Sequence, residues 1–141
     1  MSQVNSFQKF NKSALSHPNT TLSGSSNILV VEDEALVALS IEIELAEMDY
    51  RPIGPAVSIA EAKRFLNKYT VDGAILDVTL KDGEVFPFAD LLAERNIPFV
   101  FHSGNQDPKE LENRYKLPAF TKPTHPRVLV EKIGSLVKER D

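Results

Sequence analysis

Five polar side chains of this chain stand at the ends of short apolar runs, and their types suit phosphoryl or metal chemistry. They are Glu32, Asp33, Asp77, Ser103 and Lys122. The runs that precede them are Ile28–Val31, Ala74–Leu76, Ile97–Phe101 and Pro118–Thr121. Continuous apolar runs are typical of parallel strands covered on both faces, and such sheets bind ligands at the carboxyl ends of their strands. We therefore expect three carboxylates, a hydroxyl and an ammonium at one sheet edge, where they would suit a divalent cation and a phosphoryl group.

Each of these residues also has an ordinary structural explanation. Asp33 could cap the first helix, since Asp is favoured at that position, and Asp77 could be a turn residue. Ser103 could simply open a loop, and Lys122 could be a surface lysine. A shared site is favoured because the acids, the hydroxyl and the base follow four different strands, in an order that one sheet edge can bring together.

Strand and helix patterns alternate five times from Asn27 onward. We predict strands at 27–32, 51–57, 72–77, 97–103 and 119–121. We predict helices at 34–48, 59–68, 85–95, 108–115 and 126–140, of which the fourth is short. This alternation predicts an α/β fold with a parallel sheet and right-handed crossovers.

The composition limits the classes of protein to which the chain can belong. Its 141 residues allow one domain, and no stretch approaches the roughly 20 apolar residues of a membrane span. The net charge of −4 argues against nucleic-acid binding, and the absence of cysteine excludes disulfides and cysteine-ligated zinc. With no signal-peptide pattern at the start, we expect a cytoplasmic protein.

The first 26 residues differ in composition from the rest. They are rich in Ser, Asn and Thr, so we expect a disordered leader before a folded domain at 27–141. Val4, Phe7 and Phe10 recur at a spacing of three, so a short docking helix is the less favoured interpretation.

The order of the motifs resembles that of the receiver domain of two-component response regulators. The matching segments are Val30-Val31-Glu32-Asp33-Glu34, Leu76-Asp77-Val78-Thr79-Leu80, Phe101-His102-Ser103-Gly104 and Thr121-Lys122-Pro123. The resemblance covers residues 27–139. It implies a flavodoxin-like, doubly wound sheet of five parallel strands in the order 2-1-3-4-5, flanked by five helices, in a bacterial signalling protein.

The resemblance implies that Asp77 is the phosphoacceptor, which would take a phosphoryl group from a histidine kinase or a histidine phosphotransferase. Lys122 would neutralise one phosphoryl oxygen, Ser103 would hydrogen-bond another, and Thr79 would tune the lifetime of the phosphoryl group. Such a protein is not an enzyme in the usual sense, because it catalyses only its own phosphorylation and dephosphorylation.

The same resemblance implies a Mg²⁺ site, in which Mn²⁺ is an alternative ion. Asp33, Asp77 and the backbone carbonyl of Thr79 would ligate the ion directly, and Glu32 would act through a water molecule. Asp33 would then serve twice, as a metal ligand and as a helix cap.

Two features depart from the receiver pattern. The family often carries an aromatic switch residue three positions before the lysine, where this chain has Ala119; Phe120 alternates inward and is expected in the core. The fourth helix is short, so we expect the signal to pass through Ser103 into residues 104–117 instead. We expect His102 to be a partly buried, hydrogen-bonded histidine without a catalytic role.

The first helix has two apolar stripes. One comprises Leu36, Leu39, Ile43 and Ala46, and the other comprises Val37, Ile41, Leu45 and Met48. We expect the first stripe to pack on the sheet. The second could add core contact or form a homodimer surface, in which case Ile41→Glu would give a monomer.

Two other classes of protein fit less of the sequence. One is a degenerate receiver that binds proteins without phosphorylation, but the chain holds all five site residues. The other is a magnesium phosphatase of the haloacid-dehalogenase type, but that family places its nucleophile on the first strand, with a second Asp where this chain has Thr79. Since no output domain follows the last helix, we expect a stand-alone receiver that signals through protein contacts or acts as a relay or phosphate sink.

Overall fold

The computed structural model describes residues 25–140, so the expectations for the leader fall almost entirely outside the described residues. The strands are β1 (Asn27–Val31), β2 (Arg51–Ala56), β3 (Gly73–Leu76), β4 (Thr79–Leu80), β5 (Gly83–Glu84), β6 (Phe99–Ser103) and β7 (Ala119–Thr121). The helices are α1 (Ala35–Glu47), α2 (Ile59–Lys68), α3 (Phe86–Glu94), α4 (Pro108–Tyr115) and α5 (Pro126–Arg140). None of these helices is long and apolar enough to cross a membrane.

Five of the strands form one parallel sheet in the order β2-β1-β3-β6-β7. This is the predicted order of the five central strands, and the prediction of a flavodoxin-like receiver fold is confirmed. The remaining two strands, β4 and β5, form a small antiparallel hairpin that the sequence did not predict. Strands of two residues are too short to produce a periodic pattern, and only the turn residues Asp82-Gly83 mark the place.

The sheet is covered on both faces, as continuous apolar strands require. Side chains of α2, α3 and α4 pack on one face, which we call the three-helix face, together with Leu29, Leu76 and Phe101 of the sheet. Side chains of α1 and α5 pack on the other, the two-helix face, together with Val30, Ile75 and Val100. Successive residues of each strand thus point to opposite cores, which is the alternation of a buried strand.

Glycine at position 73 lets α5 lie close to the sheet. A Cβ there would come within 2.9 Å of Val137 Cγ2 and 3.1 Å of Ile133, both on α5. The two-helix face therefore packs tightly beneath the C-terminal half of α5.

Helix α1 packs on the sheet with the stripe opposite to the one we expected. Ala38, Ile41 and Leu45 are buried, whereas Leu36, Leu39 and Ile43 are 81%, 50% and 51% exposed. The prediction was wrong because both stripes are apolar, so periodicity alone could not choose between them. Ile41 is a core residue, so of the two alternatives for this stripe the structure contains the core contact and not the homodimer surface.

The helix starts differ in how their backbone N–H groups are satisfied. At α2, Ser58 Oγ accepts from the N–H of Glu61 at 3.1 Å, and Glu61 accepts from that of Val57 at 2.9 Å, which is close to a capping box. Helix α1 begins at Ala35 with Glu34 at its N-cap, and that side chain makes no capping bond. The expectation that Asp33 caps this helix is therefore wrong, since Asp33 lies one residue too early.

Candidate functional site

Three carboxylates meet at the carboxyl end of the sheet. Oxygen atoms of Glu32, Asp33 and Asp77 all lie within 4.8 Å of one another. Neighbouring strands explain this, because Val31 and Leu76 are paired in the β1–β3 register and the acids follow them directly. Glu32 and Asp77 are buried, at 2% and 7% exposure. The structure therefore contains the predicted cluster of three acids.

Lys122 reaches the same cluster from the edge strand β7. Its Nζ lies 3.1 Å from Glu32 Oε1, 2.9 Å from Glu34 Oε1 and 3.2 Å from Asp77 Oδ2. Only 18% of its side chain is exposed. Lys122 is therefore an inward-facing counter-charge of the acidic cluster and not a surface lysine.

Charge and burial shift the pKa values of Lys122 and of the acids around it in opposite directions. Burial is the main cause that raises the pKa of Glu32 to about 7; the Asp77 charge adds to it, and hydrogen bonds from the Glu34 N–H and Lys122 oppose it. Burial alone would lower the pKa of Lys122, but its hydrogen bonds to Glu34 and Glu32 and the charges of Glu32 and Asp77 raise it above the ordinary value. The hydrogen bond and charge of Lys122 lower the pKa of Glu34. The lysine therefore stays charged near neutral pH, and Glu32 binds a proton more readily than an ordinary carboxyl.

Ser103 ends β6, beside the strand that carries Lys122. The backbone N–H of Lys122 donates to the Ser103 carbonyl at 2.8 Å. The buried hydroxyl of Ser103 donates to Gln106 Oε1 and accepts from the Gln106 N–H at 3.3 Å. The serine is thus at the same edge, but its hydroxyl is engaged with the following loop.

Thr79 lies two residues beyond Asp77, at the start of the hairpin, and its side chain is exposed. The hairpin is fixed at its far end by Asp82, whose carboxylate accepts from the N–H groups of Ile59 and Ala60 at 2.8 and 3.2 Å. These bonds lower the pKa of Asp82, with the bond from Ile59 contributing most. The segment after Asp77 is therefore attached to the N-terminus of α2.

His102 is buried, but only one of its ring nitrogens has a partner. Nε2 accepts from the N–H of Thr124 at 3.3 Å, and Nδ1 is buried with no hydrogen-bond partner among the described residues. Burial, with a further contribution from the Lys122 charge, lowers the pKa of His102 to about 4. The ring is neutral at physiological pH, and the expectation of a fully hydrogen-bonded histidine is wrong at Nδ1.

The donor set fits a hard divalent cation. All three clustered groups are carboxylates, and oxygen is the donor that Mg²⁺ prefers. Histidine and cysteine, the donors typical of zinc, take no part in this group. Asp33, Asp77 and Glu32 could therefore hold Mg²⁺ or Mn²⁺ at this edge.

The sequence did not predict two residues of the site, Glu34 and Gln106. Glu34 binds Lys122, although its position after Glu32-Asp33 suggested only a favourable charge at the start of a helix. Gln106 binds Ser103, and no pattern marks it. A third consecutive acid was the only signal available for Glu34, and none existed for Gln106.

Solved structures similar to this chain share the fold over most of its length. SdrG from Sphingomonas melonis Fr1 has 35% sequence identity and a TM-score of 0.68, over 82% of this chain and 99% of that one. The receiver domain of the Francisella response regulator 1452 has 18% identity and a TM-score of 0.73, over 83% and 100%. A response regulator receiver protein from Sinorhizobium medicae WSM419 has 22% identity and a TM-score of 0.72, over 83% and 98%.

The similarities to the Francisella and Sinorhizobium proteins, at 18% and 22% identity, show only that the fold is shared. No protein-family model matches the chain, and no curated protein matches it significantly.

Proposed function

Since the chain belongs to the response regulator receiver family, we propose that Asp77 accepts a phosphoryl group from a phosphohistidine of a kinase or phosphotransferase. The observation that carries this proposal is the position of Asp77: a buried carboxylate beside two further acids and 3.2 Å from the half-buried ammonium of Lys122. A carboxylate oxygen of Asp77 attacks phosphorus, the new P–O bond forms, and the bond from phosphorus to the donor imidazole breaks.

Repulsion between the carboxylate and the phosphoryl anion is the main obstacle to this reaction. Lys122 supplies positive charge next to Asp77 and would bind a phosphoryl oxygen. A bound Mg²⁺ would supply the remaining positive charge, and Glu32, Asp33 and Asp77 are the residues that would hold it. The backbone carbonyl of Thr79 is proposed as a further ligand, on the resemblance alone.

The output of the site is proposed to run through Ser103. Its hydroxyl now binds Gln106, and it would have to leave that partner to reach a phosphoryl oxygen. Such a change would loosen residues 104–107 ahead of α4, a local exchange of hydrogen bonds with an effect at the surface. Hydrogen exchange with and without beryllofluoride should differ mainly in residues 104–117 and 79–84. A response confined to α1 would contradict this route.

Phosphorylation of matched variants tests the assignment. Asp77→Asn keeps the shape of the side chain but removes the nucleophile, so no acid-labile, hydroxylamine-sensitive label should form with acetyl phosphate and Mg²⁺. Asp49→Asn is the control, since Asp49 is exposed and has a φ of 69°, which asparagine also adopts. A label that persists on Asp77→Asn would exclude Asp77, and a wild-type protein that takes no label would favour an unphosphorylated binding module.

A metal titration tests the proposal that the acidic cluster binds Mg²⁺. Calorimetric titration with Mg²⁺ should show binding without phosphate, and Asp33→Ala should weaken it more than Glu32→Ala. The reason is that Glu32 already shares Lys122 and is proposed to act through water. Equal losses for the two variants would overturn this ranking of ligands.

A further inference from the structure

Lys122 is held by three carboxylates, and one of them is unlike the other two. Glu32 and Asp77 are buried and belong to the acidic cluster. The Glu34 side chain is 62% exposed and lies outside that cluster, yet its contact with Lys122 Nζ, at 2.9 Å, is the shortest of the three. Glu34 therefore has a place in the site without a role in holding the cation.

The three contacts use the full donor capacity of the lysine. An ammonium has three N–H groups and no acceptor, and Lys122 donates to Glu32, Glu34 and Asp77 at 3.2, 2.9 and 3.2 Å. A phosphoryl oxygen can bind the ammonium only if one carboxylate gives up its bond. Release of a buried carboxylate would leave an unpaired charge away from water, whereas Glu34 would be solvated at once.

The position of Glu34 in its helix supports this assignment. It is the N-cap residue of α1, a position where a shorter side chain such as Asp or Ser would bond the free N–H groups of the first turn. Its carboxylate makes no such bond and is directed to Lys122, while its own N–H donates to Glu32 Oε2 at 3.0 Å. One residue thus orients both the lysine and the buried glutamate.

We propose that Glu34 is a positioning residue that holds Lys122 in the resting protein and is displaced from it by the phosphoryl group on Asp77. The exchange replaces one charge-assisted hydrogen bond by another, with no covalent change at Glu34. The released carboxylate stays at the N-terminus of α1, where the helix dipole favours it. The displacement rests on the proposed function, whereas the resting contact does not.

Chemical labelling of the lysine tests the resting contact. Glu34→Gln removes the shortest contact that holds the Lys122 ammonium and leaves Nζ freer to meet the reagent, so the acetylation rate of Lys122 should rise about two- to fivefold, read by peptide mass spectrometry. Glu47→Gln is the control, because it removes the same charge from the same helix about 20 Å away, at its other end. It should leave the labelling rate of Lys122 unchanged.

Beryllofluoride binding, followed by NMR with Mg²⁺ present, tests the displacement. Glu34→Gln removes both a competitor for Lys122 and a negative charge near the phosphoryl position. It should therefore bind beryllofluoride about two- to fivefold more tightly than Glu47→Gln, and the difference should shrink at high salt.

The two measurements fail in distinguishable ways. Weaker or equal beryllofluoride binding by Glu34→Gln would overturn the displacement, and an unchanged labelling rate would overturn the contact even if Asp77 is phosphorylated. A wild-type protein that binds no beryllofluoride would overturn the proposed function and the displacement with it, while the labelling rate would still decide the contact.

Discussion

On the three-helix face of the sheet, α2 and α4 begin with capping side chains and the aromatic rings pack against one another. On the two-helix face, two buried polar atoms lack a hydrogen-bond partner within the described part of the chain. Four rings on the first face contact each other with centroids 5.3–6.3 Å apart: Phe86, Phe99, Phe101 and Tyr115. The hydroxyl of Tyr115 also donates to Asp90 at 2.8 Å. On the second face, His102 Nδ1 and Glu42 Oε2 are buried with no hydrogen-bond partner among residues 25–140.

Most of the exposed large apolar side chains follow the same division, whereas grooves occur on both sides, with one of about 460 Å³ at Phe65 of α2. Leu36 and Leu39 of α1 project into solvent, and a groove of about 410 Å³ runs between α1 and residues 123–126, directly after Lys122. Apolar exposure and unpaired polar groups both lower the stability of a fold. We infer that the three-helix face serves mainly stability, whereas the two-helix face gives up some stability beside the site. Four predictions test this difference.

The largest expected effect is at the buried stripe of α1. Ile41→Glu places a carboxylate where the side chain is 1% exposed, so the free energy of unfolding should fall by about 4 kcal/mol or more. Leu39→Glu makes a similar change on the same helix at 50% exposure and should cost no more than about 0.5 kcal/mol. Urea denaturation followed by circular dichroism measures both, and equal effects would mean that α1 does not pack as described.

The second effect is the acid sensitivity contributed by His102. Its pKa is lowered to about 4 in the folded protein, against about 6.5 when unfolded. Between about pH 4 and 6.5 the unfolded chain binds more protons at His102 than the folded protein does. The contribution of His102 to the free energy of unfolding is therefore fully present above about pH 6.5 and is lost as the pH decreases. The loss should reach about 2–3 kcal/mol by pH 4.5.

The charged groups around His102 also make the stability depend on pH, and their contribution must be separated from that of His102 itself. Lys122 lowers the pKa of His102, and Asp77 and Glu34 raise it; Glu32, with its raised pKa, gives a slope of the opposite sign between pH 4.5 and 7. Each variant is therefore compared with wild type by the pH dependence of its free energy of unfolding, because the contributions of these charges are common to all the proteins and cancel. In metal-free buffer, His102→Gln should flatten the acid side of the stability profile, and His125→Gln, at an exposed site, should not.

The sequence predicted best those parts of the fold in which local signals agree. Helix α4 has the predicted bounds because Asp107-Pro108 combines a cap with a proline suited to the first turn. The acidic cluster was predictable because parallel strands end at one edge. The orientation of α1 was not, since both of its stripes are apolar, and the bond from Glu34 to Lys122 joins residues 88 positions apart. Such contacts depend on side-chain direction, which no spacing rule supplies.

A third, smaller effect concerns the helix starts. Ser58→Ala removes a capping bond from α2 and should lower the free energy of unfolding by about 1 kcal/mol. Glu34→Gln at the corresponding position of α1 should lower it by only about 0.5 kcal/mol, because that side chain makes an exposed ion pair with Lys122 and caps nothing. Urea titrations of both variants in the same buffer would decide, and a larger loss at Glu34 would reverse the comparison.

The smallest expected effect is at the exposed stripe of α1. Leu36→Gln and Leu39→Gln keep helix propensity nearly constant and remove apolar surface that the folded chain leaves in water. The free energy of unfolding of the double variant should lie within about 0.5 kcal/mol of wild type and should not depend on protein concentration. If a second copy covered this stripe, wild type would instead gain stability with concentration, because association stabilises the folded state by mass action. Denaturation at two protein concentrations, with sedimentation of both proteins, separates these outcomes. An association through α1 would have to use its exposed apolar residues Leu36, Leu39 and Ile43, since Ile41 lies in the core.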